Sequence, residues 1–176
     1  QKYSCRKIKE SIEGVGGALN GFTSEELTCY LAKLPAQHVD VALHVLSDMV
    51  MHPRLSKIEI DKERTVILEE LKMYKDLPQS YVYELLDGLL WPGQPLGMSI
   101  IGTEESLHRL HRKDLSAFQK SYYSPAHMVV SVTGLIDYQD VVERIQRVFV
   151  PLKRSAIHAF SPVKEQQSKP RLKIFF

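Results

Sequence analysis

Glu63 and Glu70 are the two residues of this sequence best spaced to do chemistry together. They stand seven apart in the stretch ERTVILEE at 63–70, close to two helical turns, so a helix places both on one face. A carboxylate supported by a second carboxylate is the arrangement of a zinc ligand with its outer partner. Two histidines at metal-ligand spacing would complete such a site. None of the 176 residues begins a His-Glu-x-x-His or a His-x-x-Glu-His. The same pattern also fits a plain solvated face, with Glu59, Lys62, Arg64, Glu69 and Lys72 as its other charges. Spacing alone leaves both readings open.

The seven histidines do not fill the gap. His108 and His111 form an i,i+3 pair in the short, charged segment EESLHRLHRK at 104–113, which reads as surface. His44 lies on an apolar-rich helical stretch, where a hydrogen-bonded, partly buried ring is expected. His38, His52, His127 and His158 fall singly near turns or element ends.

These residues need elements to hold them, and the pattern supplies an alternation of helices and strands. Ser4 can cap a helix from Cys5 to Val15, ended at Gly16-Gly17. Ala18–Ser24 and Glu26–Leu34 read as a pair of strands closed by Pro35, with Leu27, Cys29 and Leu31 alternating against Thr28, Tyr30 and Ala32. Val39–Met51 is amphipathic, with Val41, Val45, Leu46 and Met49 inward, and Pro53 stops it. Ser56 caps a long helix from Lys57 to Tyr74 that carries Glu63 and Glu70. Pro78 opens another to about Leu90, followed by an irregular stretch around Trp91. Short helices cover Glu104–Leu110 and Lys113–Tyr122. Met128–Thr133 reads as a strand, Tyr138–Phe149 as a helix, and Arg171–Phe176 as a last strand or the start of a linker. The order predicts an α+β fold: an antiparallel-rich sheet with helices packed on one face.

Composition bounds the function. A chain of this length can bury a real core. Hydrophobic residues at 44% and charged residues at 25% are ordinary globular values. The formal net charge of +2 comes with no basic stripe interleaved with aromatics, so nucleic acid is not an expected partner. Cys5 and Cys29 form no zinc or redox spacing. No apolar run approaches the ~18 residues of a membrane span. The sequence opens on Gln rather than Met, so a missing targeting segment says little of the compartment; the cytoplasm is favoured. Tyr81, Tyr83, Leu85, Leu86 and Leu89 read as core and rim of a helix. Gly14, Gly16 and Gly17 follow a helix and precede a strand, the reverse of a phosphate loop.

Set in its flanks, the glutamate pair acquires a context. IEGVGGALNGFTS at 12–24, ELTCY at 26–30, ALHVLSDM at 42–49 and ERTVILEE with KMY and DLP up to 78 come in order. PLG at 95–97, IGT at 101–103, YSP at 123–125 and MVVSVTG at 128–134 follow. The whole series resembles the pitrilysin/insulinase-type zinc metallopeptidases with the inverted motif, on the branch of the mitochondrial processing peptidase and its bacterial relatives. In that family His-x-x-Glu-His gives two histidine ligands and a catalytic glutamate, and a later glutamate is the third ligand. The resemblance makes Glu70 that ligand and Glu63 the carboxylate that orients it. It places the histidine motif just before Gln1, and with it the general base. Residues 1–170 are then an incomplete N-terminal peptidase domain, and 171–176 begin a linker to a second, homologous domain or subunit. Zinc belongs to the full-length parent. One carboxylate does not hold it usefully, so these 176 residues are expected to bind none and to be inactive alone.

The resemblance also makes Asn20, Gly21, Phe22 and Thr23 an edge strand that holds a peptide substrate by β-augmentation. The family pattern has Ala where Gly21 stands. An ordinary hairpin strand beside a Gly-rich turn is the other reading of these residues. The first function is thus a fragment of a zinc metalloendopeptidase. A non-catalytic partner or scaffold subunit of the same family is the alternative, and an unrelated α+β binding module is the remotest.

Overall fold

A computed structural model describes residues 3–150, 152, 156–157 and 161–175. The chain divides into two compact units, Gln1–Leu55 with Leu115–Ile157, and Ser56–Asp114 with His158–Phe176.

The first unit is built on an α-helix and a hairpin. Helix α1, Cys5–Glu13, starts at Ser4, whose Oγ accepts the Lys7 N–H at 3.2 Å. It ends two residues sooner than its pattern predicts, because the Val15 and Gly16 N–H groups tighten onto the carbonyls of Ile12 at 3.3 Å and Glu13 at 2.9 Å, three residues back, and Gly16 at φ 75° turns the chain away. Strands β1, Ala18–Thr23, and β2, Thr28–Lys33, pair antiparallel, with Leu19 opposite Ala32, Asn20 opposite Leu31 and Gly21 opposite Tyr30. Gly17 joins helix to hairpin where no side chain fits: a Cβ there would lie 2.9 Å from Ile12 O, Lys33 O and Leu34 Cβ. Ile8, Ile12 and Val45 form the buried centre, with Leu19, Ala32 and Leu34 packed onto it. Helices therefore cover one face of the hairpin, while Phe22, 55% exposed, and Leu31 lie on the other.

Helix α2, Val39–Met51, has the predicted bounds. It buries Leu43, Val45, Ser47, Asp48 and Val50. The single stripe read from the sequence is one of two, because α2 packs against α1, β2 and the last helix at once. That last helix begins at the Asp137 cap, which accepts the Asp140 N–H at 2.9 Å, and runs over Tyr138–Phe149. Its Arg144 bonds Asp140 at 2.8 Å and also reaches Asp40 of α2.

Met128–Thr133 does not form the expected strand. Met128 is extended (φ −123°, ψ 139°), yet no ladder joins this segment among the described residues, and Val129 is 94% exposed. β-branched residues favour extended backbone, but a strand exists only when a neighbour pairs with it. The terminal alternative fares alike: 171–175 form no strand, and Phe176 lies outside the described residues.

In the second unit, helix α3 runs over Lys57–Lys75 from the Ser56 cap, and helix α4 over Pro78–Leu90 with Pro78 in its first turn. Tyr74 ties the two: its hydroxyl donates to Ser80 O at 3.0 Å and its ring meets Tyr81 edge-on. No residue of α4 is fully buried, so its expected core residues are rim. Helix α5, Glu104–Arg109, opens on a capping box between Thr103 and Ser106. Helix α6, Arg112–Tyr122, comes next in the chain and belongs from Leu115 onward to the first unit, and Tyr138–Phe149 is thus α7. The whole is an α+β fold, as the element order predicts.

Candidate metal and substrate residues

Five carboxylates project from α3, and they fall into two classes. Asp61 pairs with Lys57 at 2.5 Å and Arg64 at 2.7 Å, Glu59 with Lys62 at 3.5 Å, and Glu69 with Lys72 at 2.8 Å. These lysine and arginine partners hold the Asp61 carboxyl below its ordinary 3.8, chiefly through the Lys57 hydrogen bond. Glu63 and Glu70 are exposed and have no hydrogen bond or ion pair among the described residues. Local sequence explains it: the positions three and four away from each carry Glu59, Ile60, Val66, Ile67, Met73 and Tyr74, and no base.

The helix that carries the pair is well anchored. Arg64, with only 17% of its side chain exposed, donates from Nε to Leu107 O at 2.9 Å and from Nη2 to Leu110 O at 2.7 Å. These carbonyls at the end of α5 have no partner within their own helix. One planar fork thus clamps α5 onto α3. The sequence showed Arg64 only as one more charge on the face, since the carbonyls it caps lie more than forty residues away.

No group of three or more His, Cys, Asp or Glu able to hold a metal occurs among the described residues. A catalytic zinc takes three protein ligands plus water, and Glu63 with Glu70 falls short of that set. These residues by themselves do not fit the ion.

The histidines take other roles. His44 is exposed rather than partly buried. Its Nδ1–H donates to Asp40 O at 2.7 Å, one turn back on the same helix. It falls on the arc of α2 between the two buried stripes. His108 is exposed, with Nε2 3.9 Å from Glu104 Oε1. His52 Nδ1 lies 3.3 Å from Oδ1 of Asp48, a 4%-exposed carboxylate that also accepts the Tyr3 N–H at 3.2 Å. Asp48 was not singled out in the sequence; an acid inside an apolar helical run is the signal that finds it.

The four candidate substrate residues all lie on β1. The Ser24 N–H bonds Leu27 O at 2.8 Å across the turn. Antiparallel pairing alternates from there, so Phe22–Cys29 and Asn20–Leu31 are the bonded pairs. The backbone groups of Leu19, Gly21 and Thr23 then point away from β2, along an edge with no strand beside it among the described residues. Gly21 suits this place: a Cβ would lie 3.0 Å from Cys29 O.

The profile of the insulinase family, peptidase family M16, matches residues 1–104. The chain belongs to this family. A second profile, the peptidase M16 inactive domain, matches residues 109–175. Among curated M16 relatives, the uncharacterized zinc protease YmxG of Bacillus subtilis is 42% identical over 133 residues, 76% of this chain and 32% of that protein. The probable mitochondrial-processing peptidase subunit beta of Arabidopsis thaliana is 33% identical over 151 residues, 86% of this chain and 28% of its own. This chain therefore spans about a third of the length of such relatives. Among solved structures, a protease from Helicobacter pylori matches with a TM-score of 0.84 at 23% identity, covering 94% of this chain and 40% of its own. Pitrilysin matches at 0.78 and 22%, over 93% of this chain and 18% of its own. At these identities the two structures speak for the M16 fold alone.

Proposed function

We propose that this chain is part of a zinc-dependent M16 endopeptidase and that Glu70 is its glutamate ligand to the metal, with Glu63 as the carboxylate that orients the site. One observation carries the reading: these two are exposed and, among the described residues, unpaired on one face of a helix whose other three carboxylates are all in ion pairs. The names of relatives such as the B. subtilis zinc protease support the metal. Because the residues here fall short of three ligands, the two imidazoles and the general base come from outside them. Residues 1–176 alone hydrolyse nothing.

β1 is the substrate edge of the same reading. An extended peptide adds beside it and bonds the outward backbone of Leu19, Gly21 and Thr23, which takes any sequence able to lie flat. Residues 1–170 act as part of an N-terminal peptidase domain, 171–176 lead onward, and a second homologous domain or subunit helps enclose the peptide.

The test is made on the full-length protein. Glu70→Gln strips most zinc and lowers peptide hydrolysis by more than about 100-fold, while Glu63→Gln weakens both by roughly 10-fold to 100-fold, the range for an outer partner. Metal content is read by atomic emission and activity with a quenched peptide. Equal zinc in wild type and Glu70→Gln removes the ligand assignment. A parent with no zinc and no hydrolysis leaves a non-catalytic subunit.

A further inference from the structure

The open edge of β1 is not bare. Of its three outward donors, the middle one, the Gly21 N–H, is held by the side-chain oxygen of Asn20 at 2.8 Å. Among the described residues no side chain accepts from the N–H of Leu19 or Thr23. Asn20 and Gly21 are both exposed, so the contact can open without unpacking anything.

We propose that Asn20 masks the central donor of this edge, and that strand addition proceeds by exchange: a backbone carbonyl of an extended peptide displaces the Asn20 amide oxygen from the Gly21 N–H. The inference rests on reading β1 as the strand-addition edge. The two acceptors are both amide oxygens of similar strength, so the exchange loses one intramolecular hydrogen bond and gains one with the peptide. The Asn20 amide is released to water, where its donors and acceptor are satisfied. Only a chain that also engages Leu19 and Thr23 offsets the displacement, so a single carbonyl at Gly21 is too little and a run of extended backbone is required. Masking also leaves fewer open donors on an edge that would otherwise template pairing with other chains.

Replacing Asn20 by Ala removes the mask, and replacing it by Asp strengthens it, because a carboxylate is the better acceptor. The experiment uses the full-length protein with chelator present, so that peptide is not consumed. The probe is an acetylated and amidated Thr-Ser-Val repeat peptide. Backbone exchange across β1 is followed by mass spectrometry at single-amide resolution, and affinity by fluorescence anisotropy. Gly21 exchange is expected to be about 3-fold to 10-fold faster in Asn20→Ala than in wild type and slower still in Asn20→Asp, the range of one neutral hydrogen bond. Peptide affinity is expected to run in the order Ala, Asn, Asp from tightest to weakest, with similar steps. Equal Gly21 exchange in all three overturns the mask. Weaker binding by Asn20→Ala, with Leu19 and Thr23 still protected by peptide, also overturns it and makes Asn20 a contact to the peptide. If peptide protects none of Leu19, Gly21 and Thr23 in any variant, the edge reading itself fails.

Discussion

Asp48 on α2 and Glu70 on α3 are both acids on long helices, and they are held in opposite ways. Asp48 is 4% exposed and engaged by the Tyr3 N–H and the His52 ring, which tie the start of the chain and the end of α2 together. Glu70 is exposed and engaged by nothing among the described residues. A buried acid that has its partners is part of the fold, since removing it takes from the Tyr3 N–H and the half-exposed His52 ring the acceptor that joins them. An acid kept out in solvent, on a helix where its neighbours are paired, contributes little to folding and is available to a ligand.

The contrast breaks first at Asp48. Asp48→Ala leaves the Tyr3 N–H and the His52 ring without their acceptor and is expected to cost about 1–3 kcal/mol, whereas Glu70→Gln changes stability by less than about 0.5 kcal/mol. Urea denaturation of the two variants in parallel decides it, and equal losses would erase the distinction. Next comes the clamp that holds α3. Arg64→Lys keeps the charge but loses the planar fork on Leu107 O and Leu110 O, an expected loss of about 1–2 kcal/mol. A full retention of stability there would show that α5 needs no anchoring.

Smaller effects follow from titration. Tyr123 is pushed above its ordinary range by burial, and by its hydroxyl contact with Tyr30 at 3.2 Å. The folded state thus keeps its proton where the unfolded chain has lost it. Its contribution is complete below about pH 10, the ordinary tyrosine value, and is lost as pH rises beyond it. Alkaline denaturation should start later in Tyr123→Phe than in wild type. Asp61 shifts the other way: its carboxyl titrates below 3.8, so its support persists above that value and is lost as acid protonates it through the lower folded value. Carbon-13 NMR of the side chain reads this directly; a midpoint at or above 3.8 would mean that Lys57 and Arg64 do not hold it in solution.

Local signals carried much of the fold. Ser56, Pro78 and Pro53 mark helix limits by rules that act within a turn or two, so α3 and α4 begin and α2 ends where the residues say they should. Met128–Thr133 shows where such signals stop. Three valines and a threonine favour extended backbone, but pairing depends on a strand from elsewhere. His44 misled for a similar reason: an apolar helix predicts a buried ring only if one knows which arcs of the helix are covered, and neighbours fix that. The candidate site was partly legible. The order of short motifs pointed to Glu63, Glu70 and Asn20–Thr23, while Arg64 and Asp48 stayed hidden because their partners are distant along the chain.

By itself, then, the sequence determined the helices, the hairpin, the family and the two glutamates on one helical face, since each rests on neighbours within a few residues or on the order of motifs. Tertiary structure alone decided which arginine anchors α3, that Asp48 is buried with its partners, and which arcs of α2 are covered. Those are matters of distance and burial, and a linear chain specifies them only after it has folded.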